Sequence, residues 1–353
     1  MRVGFLIQHI NGLGGTERTA CAVMNGLVEH ASVSLIELWS QGPAAYGLDP
    51  KVRTVSLFGR HVPMLSHWLR LVWRCYRQIR ALKLDTLVVV ESTHALYGVA
   101  ACRLAGIRCI VWEHFNCNVD MGKRKRRWGR RIAARWADDI VTLTQRDGVL
   151  WRKKLAPRAT LVCIPNMVPA LPPVHYNPDA QYVVGIGRLT HQKGFDRLLA
   201  LWGQVTQDPR AKNWVLQIIG SGPDMEQLTH AAASLANVQF LPANNDVSAV
   251  YARTGILVST SRYEGLPMVM LEAEAAGIPI VAFDCETGPA EIIASGQTGF
   301  LVPDGDEAGF ARAVLELMGD RGLRLRFSEA AKTRATLFSR EKIIEKWRHL
   351  LEI

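Results

Sequence analysis

The run Ser261-Arg262-Tyr263-Glu264-Gly265-Leu266-Pro267-Met268-Val269-Met270-Leu271-Glu272 sets two carboxylates eight residues apart across a Gly/Pro turn. Ile256-Leu257-Val258 ahead of it has strand composition, and residues 268–276 have helical composition. Glu264 is therefore expected in the loop that enters a helix, with Glu272 one to two turns further on. Two acids beside the amide-rich start of a helix suit a polyol such as a sugar or ribose, because each carboxylate can accept two hydroxyl bonds. The plain alternative is a surface turn residue followed by an ordinary helix-surface acid.

Cations and glycine turns stand at other strand ends. Gly187-Arg188-Leu189-Thr190-His191-Gln192-Lys193-Gly194 follows a strand-like run, so Arg188 and Lys193 bracket a strand-to-helix passage and suit a diphosphate clamp. Such cations matter most in a transition state, where a leaving nucleoside diphosphate gathers negative charge. Ile219-Gly220-Ser221-Gly222-Pro223-Asp224 is a second such turn, capped by Asp224 or approached by a nucleotide. Near the N-terminus, Asn11-Gly12-Leu13-Gly14-Gly15-Thr16-Glu17 precedes a helical run from Arg18 and lets backbone amides approach a phosphate or sugar. It has neither the GxGxxG spacing nor the Lys-Ser/Thr pair of a Walker loop.

Among the histidines, His114 in Glu113-His114-Phe115-Asn116 ends a strand and is the best placed to reach a ligand, with His94 the weaker candidate. Asp304-Gly305-Asp306 has carboxylate spacing seen around divalent metals, but Pro303 and Glu307 fit a helix-capping turn better. The seven cysteines form no close metal or redox pair and are expected to be reduced packing residues.

A chain of 353 residues exceeds the usual size of one core, so two domains are expected. With 48% hydrophobic residues it is not a disordered chain. Strand-like runs at 3–7, 32–38, 86–90, 109–112, 140–143 and 160–164 alternate with helical segments, the rhythm of a parallel α/β sheet. The proline-rich stretch at 165–173 interrupts it. The rhythm then restarts with strands at 182–186, 214–219, 238–241, 256–259 and 278–282, and helices near 194–206, 224–235, 246–253 and 267–276. Further helices are expected near 306–319, 321–335 and 340–351. This gives domains at 1–168 and 169–338, facing across a cleft, with the 339–353 helix packing back on the first.

The net charge of +10 is unevenly spread: residues 1–173 hold 25 Lys and Arg against 11 acids, and residues 174–353 hold 17 against 21. Two stretches concentrate the positive charge. Arg70, Arg74, Arg77 and Arg80 recur at helical spacing, with Leu65, Trp68, Leu69, Val72, Trp73, Tyr76 and Ile79 on much of the remaining surface. Lys123 to Arg131 is a nearly unbroken cationic run. Both suit an anionic membrane surface; nucleic acid is disfavoured because no recognition motif accompanies the charge. No run is long enough to span a bilayer, and residues 3–7 are broken too soon by Gln8 and His9 to be a signal peptide. The expected location is cytoplasmic, peripheral on the inner face of the membrane.

Taken together, Gly187-Arg188 with Lys193-Gly194, Gly220-Ser221-Gly222-Pro223, the Glu264 and Glu272 pair, and Asp284-Cys285-Glu286-Thr287-Gly288-Pro289-Ala290-Glu291-Ile292-Ile293 resemble the retaining GT-B glycosyltransferases of family four. The resemblance runs from the glycine turn at 12–15 to the segment at 296–302. It implies two Rossmann-like domains and an enzyme that moves a hexose or N-acetylhexosamine from a nucleotide sugar to a lipid-linked or lipopolysaccharide-type glycan. UDP is favoured over GDP. Arg188 and Lys193 would clamp the diphosphate, with Gly220 and Gly222 in the nucleotide site. Glu264, with Gly265 and Leu266, would meet the donor sugar, and Glu272 the ribose. Gly14 and Gly15 would belong to the first-domain loop closing on the diphosphate, and His114 would lie near the donor sugar. Attack on the leaving group's face would retain configuration, with a donor-phosphate oxygen taking the acceptor proton and no metal or other cofactor. The alternatives are a nucleotide-sugar epimerase of the same fold and a catalytically silent glycan- or lipid-binding protein.

Overall fold

Aliphatic runs buried on both faces become central parallel strands, and less apolar segments become edges. A computed structural model describes residues 1–353 apart from positions 13, 65, 171 and 244–246. The chain divides into two units, Met1–Met167 with Arg340–Ile353, and Val168–Ser339.

In the first unit, strands β1 (Arg2–Ile7), β2 (Ser32–Trp39), β3 (Arg53–Phe58), β4 (Thr86–Val90), β5 (Arg108–Trp112), β6 (Asp139–Thr142) and β7 (Thr160–Cys163) form one sheet. Its order is β3-β2-β1-β4-β5-β6-β7, and every pairing is parallel. Helices α1 (Gly15–Leu27), α2 (Trp68–Ala81), α3 (Ala95–Ala105), α4 (Arg124–Trp136) and α5 (Gln145–Leu155) make the connections.

In the second unit the elements run β8 (Tyr182–Ile186), α6 (Phe195–Val205), β9 (Val215–Ile219), α7 (Met225–Ala232), β10 (Val238–Leu241), α8 (Ser248–Tyr251), β11 (Ile256–Ser259), α9 (Met268–Ala275), β12 (Ile280–Asp284), α10 (Pro289–Ile292), β13 (Gly299–Pro303), α11 (Glu307–Gly319) and α12 (Arg321–Ala335). The sheet order is β10-β9-β8-β11-β12-β13, again parallel throughout.

A last helix, α13 (Arg340–Leu351), belongs to the first unit. Ile344 lies against Gly26 of α1, and Trp347 packs on Phe5 and edge-on to Trp112, 4.7 Å between ring centres. Arg108 Nη1 donates to Leu350 O at 2.9 Å.

The periodicity missed β3 and β13. Both are sheet edges: β3 begins exposed, and β13 carries a glycine and ends in an exposed proline, so neither has the continuous apolar run of a central strand. In α2 the apolar stripe is narrower than expected. Leu71, Val72, Cys75 and Ile79 are buried, whereas Leu69 is 75% exposed and Trp73 57%. Leu65 lies outside the described residues, as does position 246 of the helix expected at 246–253. The cysteines are free thiols, all buried except half-buried Cys163.

Candidate functional site

In the second unit the chain crosses from one side of the sheet to the other between β8 and β11, and such switch points open a crevice at the carboxyl ends of the strands. Gly187 and Arg188 leave β8, and a turn at His191–Lys193 follows. Gly194 then takes φ +67°, and a Cβ there would collide with Thr260 O, so only glycine lets this turn close against the end of β11. Thr260 Oγ1 donates to Gly194 O at 2.7 Å. Arg262 fixes the same pair of loops by donating to His191 O and to both oxygens of Asp196.

This bracing brings Lys193 to Glu264. Lys193 Nζ donates to Glu264 Oε1 at 2.6 Å, and Ser261 Oγ donates to the same oxygen at 2.7 Å. Glu264 is buried, while Lys193 keeps about a fifth of its side chain exposed. Leu266 is buried and Gly265 half-buried beside it. Thr287 Oγ1 donates to Glu264 O at 2.6 Å, so the segment that opens α10 holds the acidic loop from behind.

Arg188 is exposed and lines a pocket of about 140 Å³ with Gly187, Gly220 and Ser221, walled by Ile186, Ile219 and Val250. A Cβ on Gly220 would strike Gly187 O, so the two glycine turns touch backbone to backbone. Gly222 likewise lies on Leu189 O. Glu272, on α9, is buried and accepts Tyr251 Oη at 2.6 Å; Tyr251 adjoins the pocket residue Val250. Glu272 is thus a buried helix acid joined to the pocket's wall, not a surface one.

Asp306 caps α11, accepting Gly309 N at 2.8 Å, in line with the capping reading of that turn, and Asp304 pairs with Arg197. Asp224 stands at the start of α7 without a side-chain cap bond.

In the first unit the switch lies between β1 and β4. Gly14 precedes α1 and Gly15 opens it, so that helix starts three residues earlier than expected; Glu17 folds its carboxylate over Gly12 and Gly14. His114 follows β5, buried, with Nε2 lacking a hydrogen-bond partner among the described residues. Burial holds its ring down to about 4, against an opposite pull from Glu113, so the imidazole is neutral at pH 7. Trp112 lies against it at 4.5 Å, and Trp347 lies behind Trp112. His94 is buried, with Nδ1 3.0 Å from Tyr97 Oη, and burial followed by the charges of Lys125 and Arg126 takes it down to about 3.

Sequence reasoning missed the hub of this unit. Glu113 accepts from Ser92 Oγ at 2.6 Å, from Arg130 Nε at 2.9 Å and from the backbone N–H groups of His114 and Phe115. Burial alone would raise its carboxyl, but Arg130, Ser92 and Arg126 outweigh that and hold it below the usual value. Arg130 also donates to Cys117 O and Val119 O. Arg126 and Arg130 are 4% and 2% exposed, so two cations of the run at 123–131 face inward and are not offered to a membrane surface as expected. A signal was present: Gly129, Ala133, Ala134 and Ala137 recur at helical spacing, a stripe of small residues that marks the buried side and carries Arg126 and Arg130 with it.

Residues 13–170 match the model of Glycosyltransferase Family 4, and residues 173–334 match that of Glycosyl transferases group 1. Over 99% of each chain the sequence is 30% identical to a glycosyltransferase of Haemophilus influenzae. The chain is a family 4 glycosyltransferase. Another relative of this glycosyltransferase is the GalNAc-α-(1→4)-GalNAc-α-(1→3)-diNAcBac-PP-undecaprenol α-1,4-N-acetyl-D-galactosaminyltransferase of Campylobacter jejuni, 24% identical over 99% of this chain and 98% of that one. Among solved structures, Anabaena HepE in complex with UDP superposes with a TM-score of 0.77 at 18% identity, covering all of both chains. Such likeness at low identity establishes the GT-B fold, with two Rossmann-like domains.

The glycosyltransferase carries its exposed tryptophans, Trp68, Trp73, Trp128 and Trp136, on α2 and α4, the two helices that flank α3. Arg70, Arg77, Arg80, Arg124, Lys125, Arg127, Arg131 and Arg135 are exposed on the same two helices. No helix among the described residues is long and apolar enough to cross a membrane.

Proposed function

We propose that this glycosyltransferase moves a hexose or N-acetylhexosamine from a UDP-sugar to a lipid-linked or lipopolysaccharide-type glycan, with retention of configuration. The observation that carries the reading is the grouping of Arg188, Lys193 and Glu264 at the switch point of the second unit, beside the pocket. Two cations there can bind a diphosphate and gain strength as it leaves. The pocket's apolar walls suit a flat base, Glu272 the ribose, and Glu264 the donor-sugar hydroxyls. The UDP of the HepE complex supports the donor class, and the undecaprenol-linked glycan of the Campylobacter relative supports the acceptor class.

In the proposed reaction the acceptor oxygen bonds to the anomeric carbon while the bond from that carbon to the diphosphate breaks. The acceptor proton passes to a phosphate oxygen of the leaving group, which departs as UDP. Lys193, Arg188 and backbone amides neutralise the developing charge, so neither a metal nor another cofactor is invoked. His114, neutral and with a nitrogen unpartnered among the described residues, serves as a hydrogen-bonding group toward the donor sugar, and the Gly14–Gly15 turn as part of the diphosphate site. The tryptophans and cations of α2 and α4 support docking on an anionic membrane at its cytoplasmic face.

The test is a panel of UDP- and GDP-sugars incubated with defined lipid-linked acceptors and read by mass spectrometry. An acceptor-dependent glycolipid product formed from a UDP-sugar is expected. An epimerised donor without transfer, or no turnover of any donor, would contradict the proposal.

A further inference from the structure

Glu91 directly follows β4 at the switch point of the first unit with φ +67° and ψ +134°, a backbone conformation that side-chain-bearing residues rarely adopt. The surrounding structure holds it there. Its N–H donates to Trp112 O at 2.8 Å, and Gly129 of α4 sits directly on Ser92 O, where any Cβ would collide. Strain maintained at a strand end, outside the core, is a mark of a site whose side chain must point one way.

That side chain meets Arg126. Arg126 Nη2 donates to Glu91 Oε2 at 3.2 Å, but the N–H groups of Arg126 Nε and Nη1 have no partner among the described residues, although the guanidinium is almost wholly buried. Leaving such buried donors unmatched is costly, because they have given up water without gaining a partner. Phe115 covers the guanidinium, its ring centre 4.1 Å from Arg126 Cζ, and is itself only half-buried. Glu91 keeps a quarter of its side chain exposed. Burial pushes its carboxyl up, Arg126 opposes this, and Glu113 and Glu17 add to the rise.

We propose that Glu91 and Arg126 form an acceptor-binding site for a neutral sugar, in which one hydroxyl donates to Glu91 and accepts from one unused N–H of Arg126, and a second sugar oxygen accepts from the other, as Phe115 moves aside. A hydroxyl is both donor and acceptor, so it satisfies a carboxylate and a guanidinium at once. A phosphate would satisfy Arg126 but would face Glu91 and the nearby Glu17, so charge selects the neutral polyol. The assignment rests on the transferase reading above and adds to it the residues that read the acceptor's terminal sugar.

The test uses the full chain as wild type, Glu91→Gln and Arg126→Lys, with a set of methyl hexosides and methyl N-acetylhexosaminides, inorganic pyrophosphate and UDP, followed by saturation-transfer NMR alongside thermal unfolding. Arg126→Lys keeps the positive charge opposite Glu91 and removes Nε and Nη1. Glycoside binding by the wild type, weakened at least tenfold in both variants with UDP binding and midpoint unchanged, is the expected result. If Arg126→Lys lowers the midpoint, Glu91→Gln decides alone. The proposal is overturned if the wild type binds no glycoside, if the folded variants bind as the wild type does, or if only pyrophosphate binding is lost. Failure of UDP to bind would instead count against the donor assignment and leave the glycoside comparison to decide this site.

Discussion

The two units place a switch point at the same kind of sheet edge and furnish it differently. In the second unit the acids are already engaged: Lys193 and Ser261 bond Glu264, and Tyr251 bonds Glu272. In the first unit polar atoms stand unsatisfied at the edge among the described residues, at His9 Nδ1, His114 Nε2 and Arg126. A prepaired site binds by exchanging one charge-assisted contact for another and loses little by standing empty. A site with unmatched buried donors is the costlier to leave empty and gains more from a ligand that matches them. The contrast fits the proposed donor site on the second unit and the proposed acceptor site on the first.

The largest effect is expected where the first unit's edge depends on remote packing. Trp347 is fully buried behind Trp112, which lies against His114, so Trp347→Ala should cost roughly 3–5 kcal/mol in denaturant unfolding. A loss below about 1 kcal/mol would show that α13 does not support that edge. Next, Lys193→Ala should raise the reaction barrier by roughly 2–4 kcal/mol, about 30- to 900-fold in turnover, with Arg188→Ala acting in the same direction. Turnover and thermal unfolding are to be measured together. Near-normal turnover by a folded variant removes that residue from the clamp.

Within the second unit, Glu272→Gln should weaken UDP and intact UDP-sugar alike, by roughly 1.5–3 kcal/mol, whereas Glu264→Gln should weaken mainly the intact donor. Calorimetric titration separates them, and the reverse pattern would exchange their roles.

A pH test addresses a buried acid of the second unit. Burial pushes Glu274 up to about 7 from its usual 4.5, despite a bond from Thr298 and the charge of Arg334. Between these values the native state holds a proton that the unfolded chain has released, so this group lowers stability as pH rises and the whole loss is present above about 7. Glu274→Gln should therefore gain stability at pH 8, by up to about 3 kcal/mol, and gain little at pH 4.5. Denaturant unfolding at both values checks this; equal effects would show that burial does not raise Glu274 above its value in the unfolded chain. The smallest effects per residue belong to the exposed cations. Neutralising Arg124, Lys125, Arg127 and Arg131, and sparing buried Arg126 and Arg130, should weaken sedimentation with anionic vesicles by about 1 kcal/mol per charge at low salt. Unchanged sedimentation would exclude α4 as the anchor.

Much of the framework was legible because central strands are continuous apolar runs and the second unit's site residues lie close to strand ends in sequence. Arg188, Lys193, Gly220 and Glu264 come together for that reason. The edge strands β3 and β13 were not legible, since an edge needs only a partial apolar face. Glu91, Glu113, Arg126 and Arg130 were missed as a group because their pairing joins β4, β5 and α4 over many residues, and a run of arginines reads as solvated until the helix turns two of them inward. No local pattern announces the strained φ of Glu91, which the packing of α4 on the turn after β4 maintains.

The central claim is that the second unit's switch point holds a nucleoside diphosphate by side-chain cations. Its most direct test is calorimetric titration of UDP into chelator-treated protein, as wild type and as the Arg188→Ala, Lys193→Ala double variant. The expected result is metal-free binding by the wild type and at least hundredfold weaker binding by a folded double variant. Equal affinity in the two proteins, or binding by the wild type only after Mg²⁺ or Mn²⁺ is restored, would contradict it.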